Sequence, residues 1–90
     1  MVETSLLELD LKRILRRVEE LSGVRLPEVV LEATLEPELE LLCVRFKRPR
    51  GGEFGEPVHP GIHPFRNRAG EITAVEVLEP NKLSRANRTF

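Results

Sequence analysis

The sequence predicts an α+β fold, with one N-terminal amphipathic helix on one face of a small antiparallel, meander-like sheet of three to five strands. Three observations carry this expectation. Apolar residues recur at helical spacing only near the start of the chain. After Pro27 the pattern changes to alternation, as in half-buried strands. The alternating runs are separated by Pro, Gly and Asn clusters of the kind that make tight turns.

The helix is expected at about residues 5–22. Ser5 and Glu8 have capping-box spacing, in which each side chain satisfies a backbone N–H at the helix start. Leu7, Leu11, Ile14, Leu15, Val18 and Leu21 form one apolar stripe, with Lys12, Arg13, Arg16, Arg17, Glu19 and Glu20 away from it. Gly23 is placed to end the helix in the left-handed conformation, with Val24 folding back onto Val18.

The first strand is expected at about 28–35, where Val29, Leu31, Ala33 and Leu35 alternate with Val30, Glu32 and Thr34. Glu36-Pro37-Glu38 breaks it with a turn. The second strand is expected at about 39–47. Leu42, Val44 and Phe46 point to one face and Leu41, Cys43 and Arg45 to the other, which marks an inner strand. The segment PRGGEFGEP, residues 49–57, reads as a loop from which Phe54 folds back onto the sheet. A third strand is expected at about 58–66. Within it His59-Pro60-Gly61-Ile62 fits a type II turn, Pro60 fixing φ and Gly61 taking positive φ. Asn67-Arg68-Ala69-Gly70 is a further turn. The last strand is expected at about 71–78, with Thr73, Val75 and Val77 on one side and Ala74 and Glu76 on the other. Residues 1–80 make the single domain, and 81–90 read as a flexible tail.

Ninety residues bury only about 60–65% of their unfolded surface, so the core is small and a second subunit would add to it. One cysteine allows no internal disulfide, which fits a cytoplasmic protein. The acidic, amphipathic start is unlike a signal peptide, and no apolar run reaches membrane-spanning length. Abundant Glu and Arg with no Gln make a thermophile-like composition. The net charge of −1 hides an acidic half, residues 1–40, joined to a basic half, residues 41–90.

LEPELELLCVRF, residues 35–46, resembles the opening signature of an uncharacterised prokaryotic family, the domain of unknown function 2283, which runs roughly Y-D-P-E-x-D-A-L-Y-I-R-F. Glu36, Pro37, Glu38, Glu40, Leu42, Val44, Arg45 and Phe46 stand at its matching positions. Pro60-Gly61-Ile62, Asn67 to Gly70 and Ala74-Val75-Glu76-Val77 follow in the family's order, so the resemblance covers about residues 33–80. It implies a compact β-rich domain without an established activity. Some members look like partners of small toxins, so it also implies a protein-binding role.

The residues themselves favour no catalytic constellation. Glu36, Glu38 and Glu40 border a turn, where water keeps carboxylates ordinary, so they read as the rim of that turn. His59, His63 and Cys43 are the only soft ligands. They lack the spacing of a zinc site, and no metal or other cofactor is expected. Cys43 on a buried strand reads as a small hydrophobe. Arg45, Lys47, Arg48 and Arg50 form a basic segment that Arg66 and Arg68 can join. Such a cluster could neutralise phosphates. The scarcity of aromatics and the pI near 6.1 favour instead a solvated hairpin end paired with Glu53 or Glu56. Leu41 and Cys43, on the sheet face away from the helix, are the candidate interface. The expected function is therefore non-enzymatic protein binding, as a homodimer or with a small protein partner. Weak nucleic-acid binding through residues 45–50 is the alternative, metal binding is the remotest reading, and no membrane role is expected.

Overall fold

The computed structural model describes residues 2–80 together with residues 82 and 83, and side chains from Leu11 onward. Among the described residues it has one long helix and a five-stranded antiparallel sheet, the α+β class that the pattern predicts.

Helix α1 spans Val2–Ser22. It starts before Ser5, so the expected capping box lies inside the helix and does not begin it. The preceding residues Val2, Glu3 and Thr4 include no Gly or Pro, so nothing in the backbone forbids the extra turn. The stripe works as its spacing requires. Ile14 and Val18 are buried, and Leu11, Leu15 and Leu21 pack against the same cluster. Leu7 lies where side chains are not described. Gly23 ends the helix at φ 74°, its N–H donating to the Glu19 carbonyl at 2.9 Å. The Glu19 carboxylate then accepts from the Leu26 N–H at 2.7 Å, which pins the connecting chain and seats Leu26 in the core.

The strands are β1 (Glu32–Glu36), β2 (Leu41–Arg45), β3 (Phe54–Gly55), β4 (Ile62–Arg66) and β5 (Ile72–Leu78). They lie in the order β1-β2-β5-β4-β3, each neighbouring pair antiparallel. This is not a meander. β3, β4 and β5 are joined in series, and β5 comes back to lie beside β2, a Greek-key arrangement read from the C-terminal end. The cause is the composition of β5, buried from Ile72 through Val75 and again at Val77. A strand so covered belongs inside a sheet and not at its border.

Two cross-strand rows floor the core beneath α1. One is Leu35–Leu42–Val77–Ile62 and the other is Ala33–Val44–Val75–Pro64. Leu42, Val44, Val75, Val77 and Ile62 are essentially sealed from solvent. Each such side chain contributes about 1.5–3 kcal/mol of transfer free energy, so these rows outweigh any surface pairing in the molecule. Phe46 joins the core, whereas Phe54, expected to fold back, is exposed at the edge of β3.

Element borders differ from the alternation in instructive ways. Residues 28–31 precede β1, and Val29 and Leu31 are exposed. β2 begins at Leu41 and not at 39, because Glu40 adopts φ 49° in the turn after Pro37. The type II turn at 59–62 forms as expected, with the Ile62 N–H donating to the His59 carbonyl at 2.9 Å and Gly61 at φ 82°. It delays β4 to Ile62. The loop at 49–57 contains the unexpected two-residue β3.

Pro64 explains why β3 is so short. The Leu78 N–H donates to the Gly61 carbonyl, so the backbones of Gly61, His63 and Phe65 face β5 and that of residue 64 faces β3. There the Glu56 N–H donates to the Pro64 carbonyl at 3.0 Å, but proline has no N–H to return. The ladder stops. On β5 the register shifts beside Phe65 and Arg66. Thr73 consequently leaves the core row that its parity predicted, and Ile72 enters the core in its place. Of the expected tail, Lys82 and Leu83 continue from a turn on Glu79, and Leu83 packs on the core. Asn81 and residues 84–90 lie outside the described residues.

Glu40 holds a left-handed conformation without being glycine. Replacing it with glycine removes a steric cost of about 1 kcal/mol. Glu40→Gly is therefore expected to raise the urea midpoint at unchanged m-value. A lowered midpoint would contradict the assigned turn.

Candidate functional site

The sheet face away from α1 is built from three cross-strand rows: Glu36–Leu41–Leu78, Thr34–Cys43–Glu76–His63 and Glu32–Arg45–Ala74–Phe65. The composition is mixed. Leu41 and Leu78 leave an apolar corner at one end, and the centre is polar and charged. Phe65 lies across Gly55, where an added Cβ would come within 2.8 Å of its ring. Gly55 is thus required by the ring above it, which closes the face on the β3 side.

The strongest polar assembly on this face is Arg45–Glu53–Thr73. The Arg45 guanidinium grips the Glu53 carboxylate with two donors, at 2.7 and 3.3 Å. The Thr73 hydroxyl donates to the same carboxylate at 2.6 Å. Both charged side chains are under one-third exposed, 28% and 20%, so the pair is less screened than a surface ion pair. The hydrogen bond from Arg45, then that from Thr73, hold the Glu53 carboxyl below its ordinary value despite some burial; the same bond to Glu53 raises Arg45. The assembly ties the β2–β3 crossover to β2 and β5. Its role is positioning.

The predicted basic segment does not converge on a ligand. Arg45 is held by Glu53, Lys47 by Glu71 at 3.0 Å and Arg66 by Glu56 at 2.9 Å. Arg66 also donates to the Gly70 carbonyl. The pairing of this hairpin end with Glu53 and Glu56 was legible from the charges. Arg48, Arg50 and Arg68 are exposed and carry no ion pair among the described residues.

Cys43 and His63 share a row but stand on opposite sides of Glu76. The Cys43 Sγ lies 4.0 Å from Glu76 Oε2. Burial first, then the carboxylates of Glu76 and Glu36, push the thiol pKa up, with Arg45 opposing. That keeps the sulfur protonated and dull as a nucleophile. His59 is apart, its Nδ1 3.0 Å from the Pro60 carbonyl in its own turn. Among the described residues no three His, Cys, Asp or Glu side chains come together as a metal set. Glu36, Glu38 and Glu40 are all exposed, as the turn-rim reading expects.

A groove of about 840 Å³ runs beside the helix, lined by Lys12, Arg16, Arg25 and Lys47 among Glu19, Glu28 and Glu71. Mixed charge on its walls selects no ligand class. A depression of about 260 Å³ over Cys43, Arg45 and Glu76 has walls of mixed polar and apolar character, with Phe65 and Ala74 among them. No described helix is long and apolar enough to cross a membrane.

Apolar exposure is found at the predicted interface, where Leu78 stands beside Leu41, and also near the outer border of the sheet. Leu41 and Cys43 are half-buried; Leu35 on the outer strand β1, at 43%, and Leu31 just before it, at 51%, are exposed, with Val29 and Leu39 further out on either side. The signal for this was the pair of prolines, Pro27 and Pro37, bracketing a short alternating run. Alternation alone does not say which strand is left at the border. Compared with family models, with curated proteins and with solved structures, the chain finds no match.

Two outcomes follow from the charges. The depressed Glu53 carboxyl contributes stability that is fully present above its unfolded value and is lost as pH falls through the folded one. Glu53→Gln should therefore cost about 1 kcal/mol at neutral pH, and the gap to wild type should close on acidification when both are melted in urea. A gap independent of pH would show that the ion pair is not the source. For Cys43, alkylation should be slow in native protein at neutral pH and speed up as pH passes the ordinary thiol value of 9.0. Rapid neutral labelling, as fast as in urea, would refute the protected thiol.

Proposed function

We propose that this protein is a non-catalytic binding module that engages another polypeptide by adding a strand to its sheet at β1. The partner is a second copy or a small protein of antitoxin-like pairing. One observation carries the reading: among the described residues β1 is paired only on its β2 side, with Leu35 half-exposed on it and Leu31 half-exposed just before it. An unpaired edge offers backbone donors and acceptors, which supply affinity, while alternate side chains supply selection. The resemblance to the domain of unknown function 2283 supports the same reading, since it too implies protein binding.

The groups with chemical potential point the same way. Burial and neighbouring acids hold Cys43 protonated, His59 is engaged by its turn, and Arg45 is occupied by Glu53. Weak nucleic-acid binding through residues 45–50 is disfavoured, because Arg45 and Lys47 already have carboxylate partners. Only Arg48 and Arg50 of that segment remain exposed to meet phosphate.

The reading is checked by sedimentation across a wide concentration range together with affinity capture from the native host. Self-association or a stoichiometric partner is expected, weakened by Leu31→Glu. A strict monomer without any partner would end it. In filter binding, RNA and DNA should not be retained even at low salt; retention that fades steeply with salt would promote the nucleic-acid alternative.

A further inference from the structure

We infer that the groove beside α1 binds a small phosphate monoester, with Arg16 and Arg25 holding the dianion and an apolar floor beneath its organic body. The site is separate from the β1 edge and goes beyond the protein-binding role proposed above.

The groove walls carry both signs, so their charge by itself selects nothing. The hydrogen bonds of those walls do select. Two of the three acids are occupied. The Glu19 carboxylate accepts from the Leu26 N–H at 2.7 Å. Glu71 accepts from Lys47 on one oxygen and from the Asn67 side-chain amide on the other, each at 3.0 Å. Arg16 has no such partner. On a helix it meets residues three and four positions away. Lys12 and Arg13 on one side are cations. On the other side Glu19 is committed to Leu26, and Glu20 accepts from Arg17 at 3.0 Å. Among the described residues neither Arg16 nor Arg25 forms an ion pair. Lys12 stands one turn before Arg16 on the same wall, and like charges at that spacing work against the helix. An anion between them removes that cost.

The charges left over choose the ligand. Lys12, Arg16 and Arg25 are positive, and Glu28 is the one acid of the groove without an ion pair among the described residues. Three positive groups against one negative leave two charges to be matched. A phosphate monoester carries about −1.5 to −2 at neutral pH, and its oxygens suit guanidinium forks. The nucleic-acid backbone, a diester, offers only one charge at each phosphate. The floor is aliphatic, made by Leu15, Leu26, Pro27 and Ile72, and no aromatic ring lines the groove among the described residues. A base therefore has nothing to stack on, whereas a sugar or a short aliphatic body can lie against it. The volume of about 840 Å³ falls within the range of roughly 300–1,000 Å³ usual for small-ligand sites.

Amide chemical shifts followed by NMR during titration with butyl phosphate test this. Saturable shifts are expected at Arg16, Arg25, Leu26 and Ile72. Butyl sulfate, a monoanion of like shape, should bind more weakly. Arg16→Gln and Arg25→Gln should each weaken butyl phosphate binding about tenfold, the loss of a charge-assisted fork. Glu28→Gln should tighten it a few-fold by removing the opposing charge. Arg50→Gln, an exposed arginine outside the groove, should leave it unchanged. Arg16, Arg25, Glu28 and Arg50 are all exposed, so the four variants should keep the wild-type urea midpoint. An equal loss in Arg50→Gln, sulfate binding as tight as phosphate, or shifts scattered over the basic segment without saturation would overturn the site. So would tighter, steeply salt-dependent shifts with duplex DNA, or tighter binding of a tetraglutamate peptide, since either replaces the small ligand with a macromolecule. Each of these outcomes leaves the β1 edge untouched, and sedimentation and capture decide that reading on their own.

Discussion

Everything in this fold depends on where β5 goes. Val75 and Val77 admit no solvent, and a strand with that much apolar surface must be flanked on both sides. β5 therefore lies between β2 and β4, and the rest of the topology follows. The chain leaving β2 must cross to the far border before it can return through β3 and β4. That crossover carries Pro49, Gly51 and Gly52, and little of its own packing fixes it. Glu53 does so instead. By accepting from both Arg45 on β2 and Thr73 on β5, it fastens the returning chain to the two strands that the crossover separates.

The helix, its apolar stripe, its glycine stop and the two polar turns were readable because each is a local matter. Spacing of 3.6 and the φ demands of Gly23 and Gly61 need no knowledge of distant residues. Strand order was not readable, because alternation reports which side of a strand is buried and nothing about its neighbours. The same limit affected Thr73. Its parity predicts the core, and only the shift opposite Phe65 and Arg66 turns it to Glu53. Glu40 shows a third kind of limit. It stands in a strand-like run, yet the four-residue turn after Glu36 requires a left-handed residue there, and glutamate supplies one at a cost. The charge pairing of Arg45 and Arg66 was legible in outline, since the acids of the same loop were the nearest counterions.

The face of the sheet and its border divide the work differently from what composition alone suggests. Leu41 and Cys43 are apolar and half covered; Cys43 stands among Thr34, Glu76 and Arg45, and Leu41 beside Glu36 and Leu78. The surroundings of Cys43 carry charge. The uncovered leucines are Leu35 on the outermost strand, Leu31 and Leu39 to either side of it, and Leu78 at the end of β5. Glu32 and Glu36 stand at the two ends of the outermost strand. Border charges of this sort protect a sheet from indiscriminate joining, and they also narrow the ways in which a legitimate partner can approach.

Pro64 has a consequence for growth. By ending the β3 ladder after two residues, it makes the two borders of the sheet unequal: one is long enough to template a neighbour and the other is a stub. A molecule that could extend at both borders would polymerise, each addition exposing a fresh site. Were the longer border to join a like strand, association would exhaust itself once that side was used, and the product would be closed instead of fibrous.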